Sequence, residues 1–352
     1  MAIDEDKLMA FMGQAVTDMS ATVSVALMAI GDKLGLYKAM AGSGPLSPAD
    51  VAKRTGTHER YVREWLNNQV AGGYITYDPT ARTYTLEDEQ AFALADEDSP
   101  VFLGGAFDVV GACWAAEEQI TEAFRTGKGV GWHEHHPRLF GGTERFFRPG
   151  YRANLTSSWI PALDGVEAKL QRGAKVADVG CGHGASTVIM AAAYPKSTFL
   201  GSDYHEPSIE AARERAADAG VDDRVAFEVA TAKDHGGEDL DLVCYFDCLH
   251  DMGDPVGAAR HALERLKPDG TVMLVEPFAN DEVQDNVNPV GRMFYGASTF
   301  LCTPASLSQE VGLALGAQAG EGRLREVFTE AGFSSFSRAT ETPFNLVLEA
   351  KP

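Results

Sequence analysis

Val176-Ala177-Asp178-Val179-Gly180-Cys181-Gly182-His183-Gly184-Ala185-Ser186 is the stretch on which the fold reading turns. An apolar strand ends at Asp178, and glycines follow at alternate positions, Gly180, Gly182 and Gly184. Glycine serves where backbone takes φ > 0, or where a ligand must approach with no side chain intervening. A second apolar run, Phe199-Leu200-Gly201-Ser202, ends on Asp203, 25 residues after Asp178 and one strand–helix–strand crossover later. A carboxylate at the end of the neighbouring strand is placed to bond ribose hydroxyls. Together these features describe a nucleoside pocket at the C-terminal edge of a parallel sheet.

The glycine spacing narrows the choice of nucleoside. A dinucleotide turn reads Gly-x-Gly-x-x-Gly and sets a pyrophosphate on a helix N-terminus. Here the third glycine comes one residue early and position 185 is alanine. Asp178-x-Gly180-x-Gly182-x-Gly184 resembles the first motif of the Rossmann-like (class I) S-adenosylmethionine (SAM)-dependent methyltransferases. NAD binding, or a tight turn that binds nothing, are the alternatives.

The chain has 352 residues, more than one ordinary domain. Its formal net charge of −21 argues against a nucleic-acid polyanion as partner. Five scattered cysteines without a Cys-x-x-Cys pair suit a reduced cytoplasmic setting better than a disulfide framework or a zinc site. The acidic start, Asp4-Glu5-Asp6, is unlike a signal peptide. The apolar stretch from Met19 to Gly31 is too short to span a bilayer, so a soluble protein is expected.

Residues 8–42 read as helix that is apolar on more than one face, which calls for burial, here against a second subunit. Two short helical segments follow, with Ser47 and Thr57 where N-caps belong and Asp50 completing a capping box after Ser47. Strands near 74–77 and 82–86 flank an Asp78-Pro79 turn, completing a winged helix-turn-helix. The first hundred residues hold 8 Lys and Arg against 15 Asp and Glu, so the electrostatic footprint of a DNA reader is missing. Dimerisation and pocket lining are the expected roles.

Residues 99–170 are helical and rich in aromatics, and their glycine turns suggest a cover over the pocket. Trp132-His133-Glu134-His135-His136 offers metal-binding side chains, but consecutive positions rarely converge on one ion. A solvated or substrate-facing loop, and no metal, is the expectation. The remainder alternates strand and helix as a doubly wound sheet does, with strands near 175–180, 197–202, 224–229, 240–246, 270–276, 334–339 and 343–350. The last two form a hairpin that adds an antiparallel strand. This gives an α/β chain with a seven-stranded Rossmann-like sheet behind an α-rich winged-helix domain. The expected divisions are 1–98, 99–170 and 171–352, with a long insertion at about 277–318 over the sheet's C-terminal face.

Further stations resemble the same superfamily. Phe227-Glu228-Val229-Ala230-Thr231-Ala232 resembles the third strand and its adenine-edge residues, with Thr231 in place of the usual acid. Asp241-Leu242-Val243-Cys244-Tyr245-Phe246 resembles the fourth strand, and Leu266-Lys267-Pro268-Asp269-Gly270-Thr271 the turn before the fifth. Segments 145–150, 248–255 and 276–288 resemble an actinobacterial group of small-molecule methyltransferases sometimes labelled as regulators. The resemblance implies SAM as cofactor, held by Asp178, Gly180, Gly182, Gly184, Asp203, Tyr204, Thr231, Ala232 and the Phe246 carbonyl, with Tyr151 closing over it. It also implies a homodimer formed through the N-terminal helices.

The Asp247-Cys248-Leu249-His250-Asp251-Met252 segment resembles the His-Asp-Trp motif of plant and animal O-methyltransferases, with Met252 in place of Trp. That makes His250 the candidate base, since an imidazole titrates near neutrality. Capping or packing is its alternative role. Asp247, Glu276, Phe147 and Tyr295 are expected to face a small, mostly apolar, ring-containing acceptor. A DNA-binding regulator that senses SAM, or a SAM-fold enzyme with other chemistry, are the rival functions.

Overall fold

The full-chain structure is a computed structural model, and it describes residues 3–352. By contacts the chain divides into two units: Met1–Gly111 with Arg145–Pro149, and Ala112–Glu144 with Gly150–Pro352.

In the first unit, helix α1 (Glu5–Lys33) starts where the Asp4 carboxylate accepts from the Lys7 amide at 3.1 Å. It stops at Leu34, because Gly35 takes φ +67° and opens helix α2 (Leu36–Met40). The single helix expected over 8–42 is therefore two. α3 (Pro48–Thr55) carries the expected capping box between Ser47 and Asp50. α4 (Glu59–Ala71) is capped one residue later than expected: the His58 ring accepts from the Arg60 amide, and the Thr57 hydroxyl pairs with Thr55 instead. Strands β1 (Thr76–Asp78) and β2 (Thr83–Thr85) form the antiparallel wing. Its turn is held by the Asp78 carboxylate, which accepts from the Thr80 and Ala81 amides.

The core of this unit centres on Trp65, whose indole donates to the Leu27 carbonyl at 2.9 Å and meets Tyr37 edge-on at 5.0 Å. Residues 145–149 belong here because Arg145 pairs with Asp32 at 2.9 Å and Glu97 at 3.4 Å, and lies over the Phe102 ring. Only Met28, Ala29 and Gly31 of α1 are buried. The burial expected of the whole helix is not met within one chain: Met9, Met12, Val16, Met19, Val23 and Ile30 are all exposed.

In the second unit, a seven-stranded sheet runs in the order β5-β4-β3-β6-β7-β9-β8. Its strands are β3 (Lys175–Val179), β4 (Thr198–Asp203), β5 (Val225–Val229), β6 (Leu240–Phe246), β7 (Leu266–Pro277), β8 (Ser335–Glu341) and β9 (Asn345–Lys351). β3 to β7 are parallel, and β9 enters antiparallel between β7 and β8, as the hairpin reading expects. β7 starts four residues earlier than expected: Leu266 already pairs with Leu240, and a register shift absorbs the Lys-Pro-Asp-Gly segment. The chain moves outward from β3 to β5, then crosses back to β6. The C-terminal ends of β3 and β6 thus flank the crevice where such sheets take ligands.

The insertion after β7 is mostly helical rather than looped, with Pro289–Ala297, a π-turn at Ser298–Cys302 and Thr303–Leu307. In residues 132–136 His133, Glu134 and His136 are exposed, but the segment is not irregular throughout. Trp132–Glu134 form a 3-10 turn, the Glu134 carboxylate accepts from the Gly131 amide, and His135 is buried. Among the described residues no helix is long and apolar enough to cross a membrane.

One local contact gives a direct test of the first unit. A Cβ at Gly31 would lie 2.5 Å from Trp65 Cζ2, a ring already pinned by its indole hydrogen bond. Gly31→Ala should lower stability by about 1–3 kcal/mol, the usual cost of overpacking a fixed core. Denaturant unfolding would read this, and an unchanged midpoint would contradict the packing described.

Candidate active site

The loop after β3 is fastened before it turns. Gly180 and Cys181 both donate their amides to the Ser202 carbonyl, at 2.8 and 3.0 Å. Gly180, Gly182 and Gly184 take φ of +74°, +51° and +72°, which explains their alternate spacing. A Cβ at Gly180 would press on Cys248 Sγ at 2.8 Å, and one at Gly184 on Phe227 and Ala212. At Gly182 a Cβ would meet nothing within 4 Å. The turn therefore keeps open space over its middle glycine.

Asp203, at the end of β4, closes one side of that space. Its Oδ2 accepts from the Gly182 amide at 3.0 Å and its Oδ1 from the His205 amide at 2.9 Å. Burial raises its pKa, and the two amides offset part of that rise. Each oxygen keeps a lone pair for a hydroxyl donor. Asp178, near the end of β3, bonds the helix that follows. It is 1% exposed, and its Oδ2 accepts from the Ser186 and Thr187 hydroxyls, both at 2.6 Å, at the start of the following helix (Ala185–Ala193). Its Oδ1 is buried without a hydrogen-bond partner, and burial pushes the carboxyl up to about 6. This set fits a nucleoside ligand with a cationic group: open backbone, a hydroxyl acceptor and an unspent buried acceptor.

The other expected cofactor residues divide. Tyr204 is partly exposed beside His133, and Phe140 stacks on His205 at 4.5 Å. Thr231 lies just beyond β5 but spends its hydroxyl on Asp234 at 2.6 Å, and Ala232 packs against the sheet core. Phe246 ends β6 with its ring 5.5 Å from that of Tyr151.

At the ends of β6 and β7 the structure gathers a buried polar cluster. Asp247 holds φ +52°, an uncommon backbone state for a non-glycine residue and one that collects at functional sites. Tyr151 donates its hydroxyl to Asp247 Oδ2 at 3.0 Å, and Asn345 its amide to Oδ1 at 2.9 Å. Burial, then the charge of Glu276, pushes Asp247 up to about 8. Glu276 accepts from the Leu249 amide at 3.0 Å and bonds His250 Nδ1 through its other oxygen. His250 Nε2 lies 3.2 Å from Asp251 Oδ1 and beside the Cys302 thiol. Burial would pull this imidazole down, but Glu276 and Asp251 outweigh it and hold the pKa well above its ordinary value.

The structure thus brings Tyr151, Asp247, Glu276 and His250 together, while Gly182 and Asp203 line the neighbouring strand ends. Tyr295 lies on the insertion helix Pro289–Ala297, and Phe147 belongs to the first unit, edge-on to Phe146. Three members of the cluster escaped the sequence reading as site residues. Asp251 was legible from its place next to His250. Cys302 and Asn345 reach the cluster only through tertiary folding.

Residues 21–96 match the model of the Rv2258c-like winged HTH domain, and residues 170–332 that of a methyltransferase domain. Over 107 residues the chain is 36% identical to the 27-O-demethylrifamycin SV methyltransferase of Amycolatopsis mediterranei. That stretch covers 30% of this chain and 39% of the relative. The solved structure of the mitomycin 7-O-methyltransferase MmcR superposes with a TM-score of 0.72 at 19% identity, covering 99% of this chain and all of that one. Human N-acetylserotonin methyltransferase, solved with SAM, gives 0.71 at 17% identity, covering 100% of this chain and 99% of that one. The chain thus carries an Rv2258c-like winged helix-turn-helix domain ahead of a methyltransferase domain, in the fold of the class I, SAM-dependent methyltransferases.

Proposed function

We propose that this chain is a cytoplasmic, homodimeric enzyme that moves a methyl group from SAM to a small, mostly apolar, ring-containing acceptor. The observation that carries the reading is the pairing of two features on one sheet edge. One is the open glycine turn closed by Asp203, and the other is the buried His250–Glu276 pair.

SAM supplies a methyl group on an already activated sulfonium leaving group. The chain's part is to align the acceptor, exclude water and manage one proton. Asp203 accepts from the ribose hydroxyls, while Gly180, Gly182 and Gly184 let the backbone approach. Asp178 Oδ1 and the Phe246 carbonyl are acceptors for the cofactor's amine. Tyr204, Thr231, Ala232 and Tyr151 complete that side, Tyr151 being oriented by its bond to Asp247. His250 in its neutral form takes the acceptor's proton at Nε2, with Glu276 holding Nδ1. Because Glu276 and Asp251 hold the imidazole pKa above its ordinary value, that form gains as pH rises. A proton acceptor is needed only where the attacking atom carries a proton. A hydroxyl meets that condition, and the mitomycin enzyme is named as a 7-O-methyltransferase. Asp247, Glu276 and Tyr295 face the acceptor. The insertion at 277–318 and the part of 99–170 that lies in the second unit cover it.

The homodimer rests on α1. Its exposed Met9, Met12, Val16, Met19, Val23, Ala26 and Ile30 alternate three and four residues apart, the spacing of a coiled-coil seam. Such a row is covered economically by the same helix of a second copy. The recognition helix of the winged domain, by contrast, pairs its own charges, Arg60 with Glu64 and Arg63 with Glu59. Those pairs leave little basic surface for phosphates.

Asp203→Ala should weaken SAM binding by roughly tenfold or more, the loss of a charge-assisted hydrogen-bond pair. His250→Ala should cut turnover by about 10²–10⁴ while SAM affinity stays within about a factor of two. Wild-type affinity in the first variant would remove Asp203 from the site, and wild-type turnover in the second would remove His250 as base. Light scattering should give a dimer mass for the wild type and a monomer for a Met12→Asp, Met19→Asp double variant. A monomeric wild type at micromolar concentration would refute the dimer.

A further inference from the structure

Among the described residues, one group of three metal-binding side chains converges: His250, Asp251 and Cys302, with one donor atom from each within 4.8 Å of the others. Donors around a tetrahedral Zn2+ stand about 3.3–3.8 Å apart, given bonds of about 2.0–2.3 Å. His250 Nε2 and Asp251 Oδ1 are 3.2 Å apart, so small side-chain shifts suffice.

Three further observations bear on this group. Asp251 Oδ1 is buried, and the close partners of this carboxylate are the other two members of the group, His250 Nε2 at 3.2 Å and the Cys302 thiol. His250 Nδ1 is bonded to the Glu276 carboxylate, the outer contact that orients metal-binding histidines and raises their basicity. The charges acting most strongly on His250, Asp247 and Asp251 come from one another and from Glu276, with no lysine or arginine among them. His250 is the one basic side chain among these groups.

The geometry points to a divalent-cation site formed by His250 Nε2, Asp251 Oδ1 and Cys302 Sγ, selective for Zn2+. An imidazole and a thiolate exclude Mg2+ and Ca2+, which take oxygen donors. Burial and the charge of Asp251 hold the Cys302 thiol up at about 12, but a bound cation deprotonates a ligating thiol outright. The site leaves one position of a tetrahedron unfilled by protein. Occupancy also displaces the proton that Glu276 and Asp251 favour on the His250 ring and engages Nε2, so Zn2+ would inhibit the methyl transfer. That consequence rests on the proposed role of His250 as proton acceptor, whereas the binding itself does not.

The test titrates chelator-stripped, reduced full-length protein with Zn2+ against a chromophoric chelator, without SAM. One Zn2+ per chain is expected, with binding weakened more than about 100-fold in Cys302→Ser and about 10–100-fold in Glu276→Gln. Mg2+ should not compete. Co2+ should give a thiolate-to-metal charge-transfer band in the near ultraviolet that Cys302→Ser lacks. SAM calorimetry on each variant shows that the second unit is folded, and Asp251→Asn serves if Cys302→Ser fails that check. Absence of Zn2+ binding to the wild type, equal binding by the variant, or a Co2+ spectrum without the thiolate band would overturn the site. None of these readouts uses turnover, so failure of the metal site and failure of the methyltransferase reading are separable.

Discussion

The buried Asp178 carboxylate ties the end of β3 to the start of the helix that follows it. With Oδ2 accepting from Ser186 and Thr187, the strand and the first helical turn are clamped at a fixed distance. The five residues between Val179 and Ala185 must then reverse direction in a very short path. Gly180, Gly182 and Gly184 are the ones that take positive φ to do so. The bonds from Gly180 and Cys181 to Ser202 bind this reversal to β4, which brings Asp203 under the Gly182 amide. The cradle is therefore a consequence of one clamp and one strand pairing.

The same sheet edge concentrates charge that water would ordinarily screen. Asp178, Asp203, Asp247, Asp251 and Glu276 all lie at or just beyond strand ends, and burial raises the first four. Folding tolerates this because most of their oxygens have donors: backbone amides, hydroxyls, the Asn345 amide and the His250 ring. One oxygen, on Asp178, is left over. A binding site for a sulfonium or another cation is a place where that imbalance has a use, and Asp247 with its strained backbone sits in the middle of it.

What the sequence makes legible is what depends on neighbours along the chain. Glycines two residues apart after an apolar strand imply positive φ. The Ser47–Asp50 box implies a helix start, and the closely spaced last two strands imply a hairpin. Each of these appears in the structure. What escapes is set by competing partners, some local and some from distant chain. His58 displaces Thr57 as the cap because the Thr57 hydroxyl finds Thr55. β7 begins at Leu266 because β6 offers Leu240 as a partner. Asn345 joins the cluster because β9 runs antiparallel beside β7, pairing Asn345 with Pro277. Asp178 looks like a ligand residue in the motif, yet its main bonds are to its own helix. The apolar composition of α1 calls for burial, and a single chain leaves the row from Met9 to Ile30 exposed.

The central claim is that the Gly182–Asp203 edge binds an adenosyl sulfonium rather than a dinucleotide. Calorimetry of the purified protein against SAM, S-adenosylhomocysteine and NAD in parallel tests it most directly. The account predicts micromolar binding of both adenosyl ligands and none of NAD. Binding of NAD, or of neither adenosyl ligand, would contradict it.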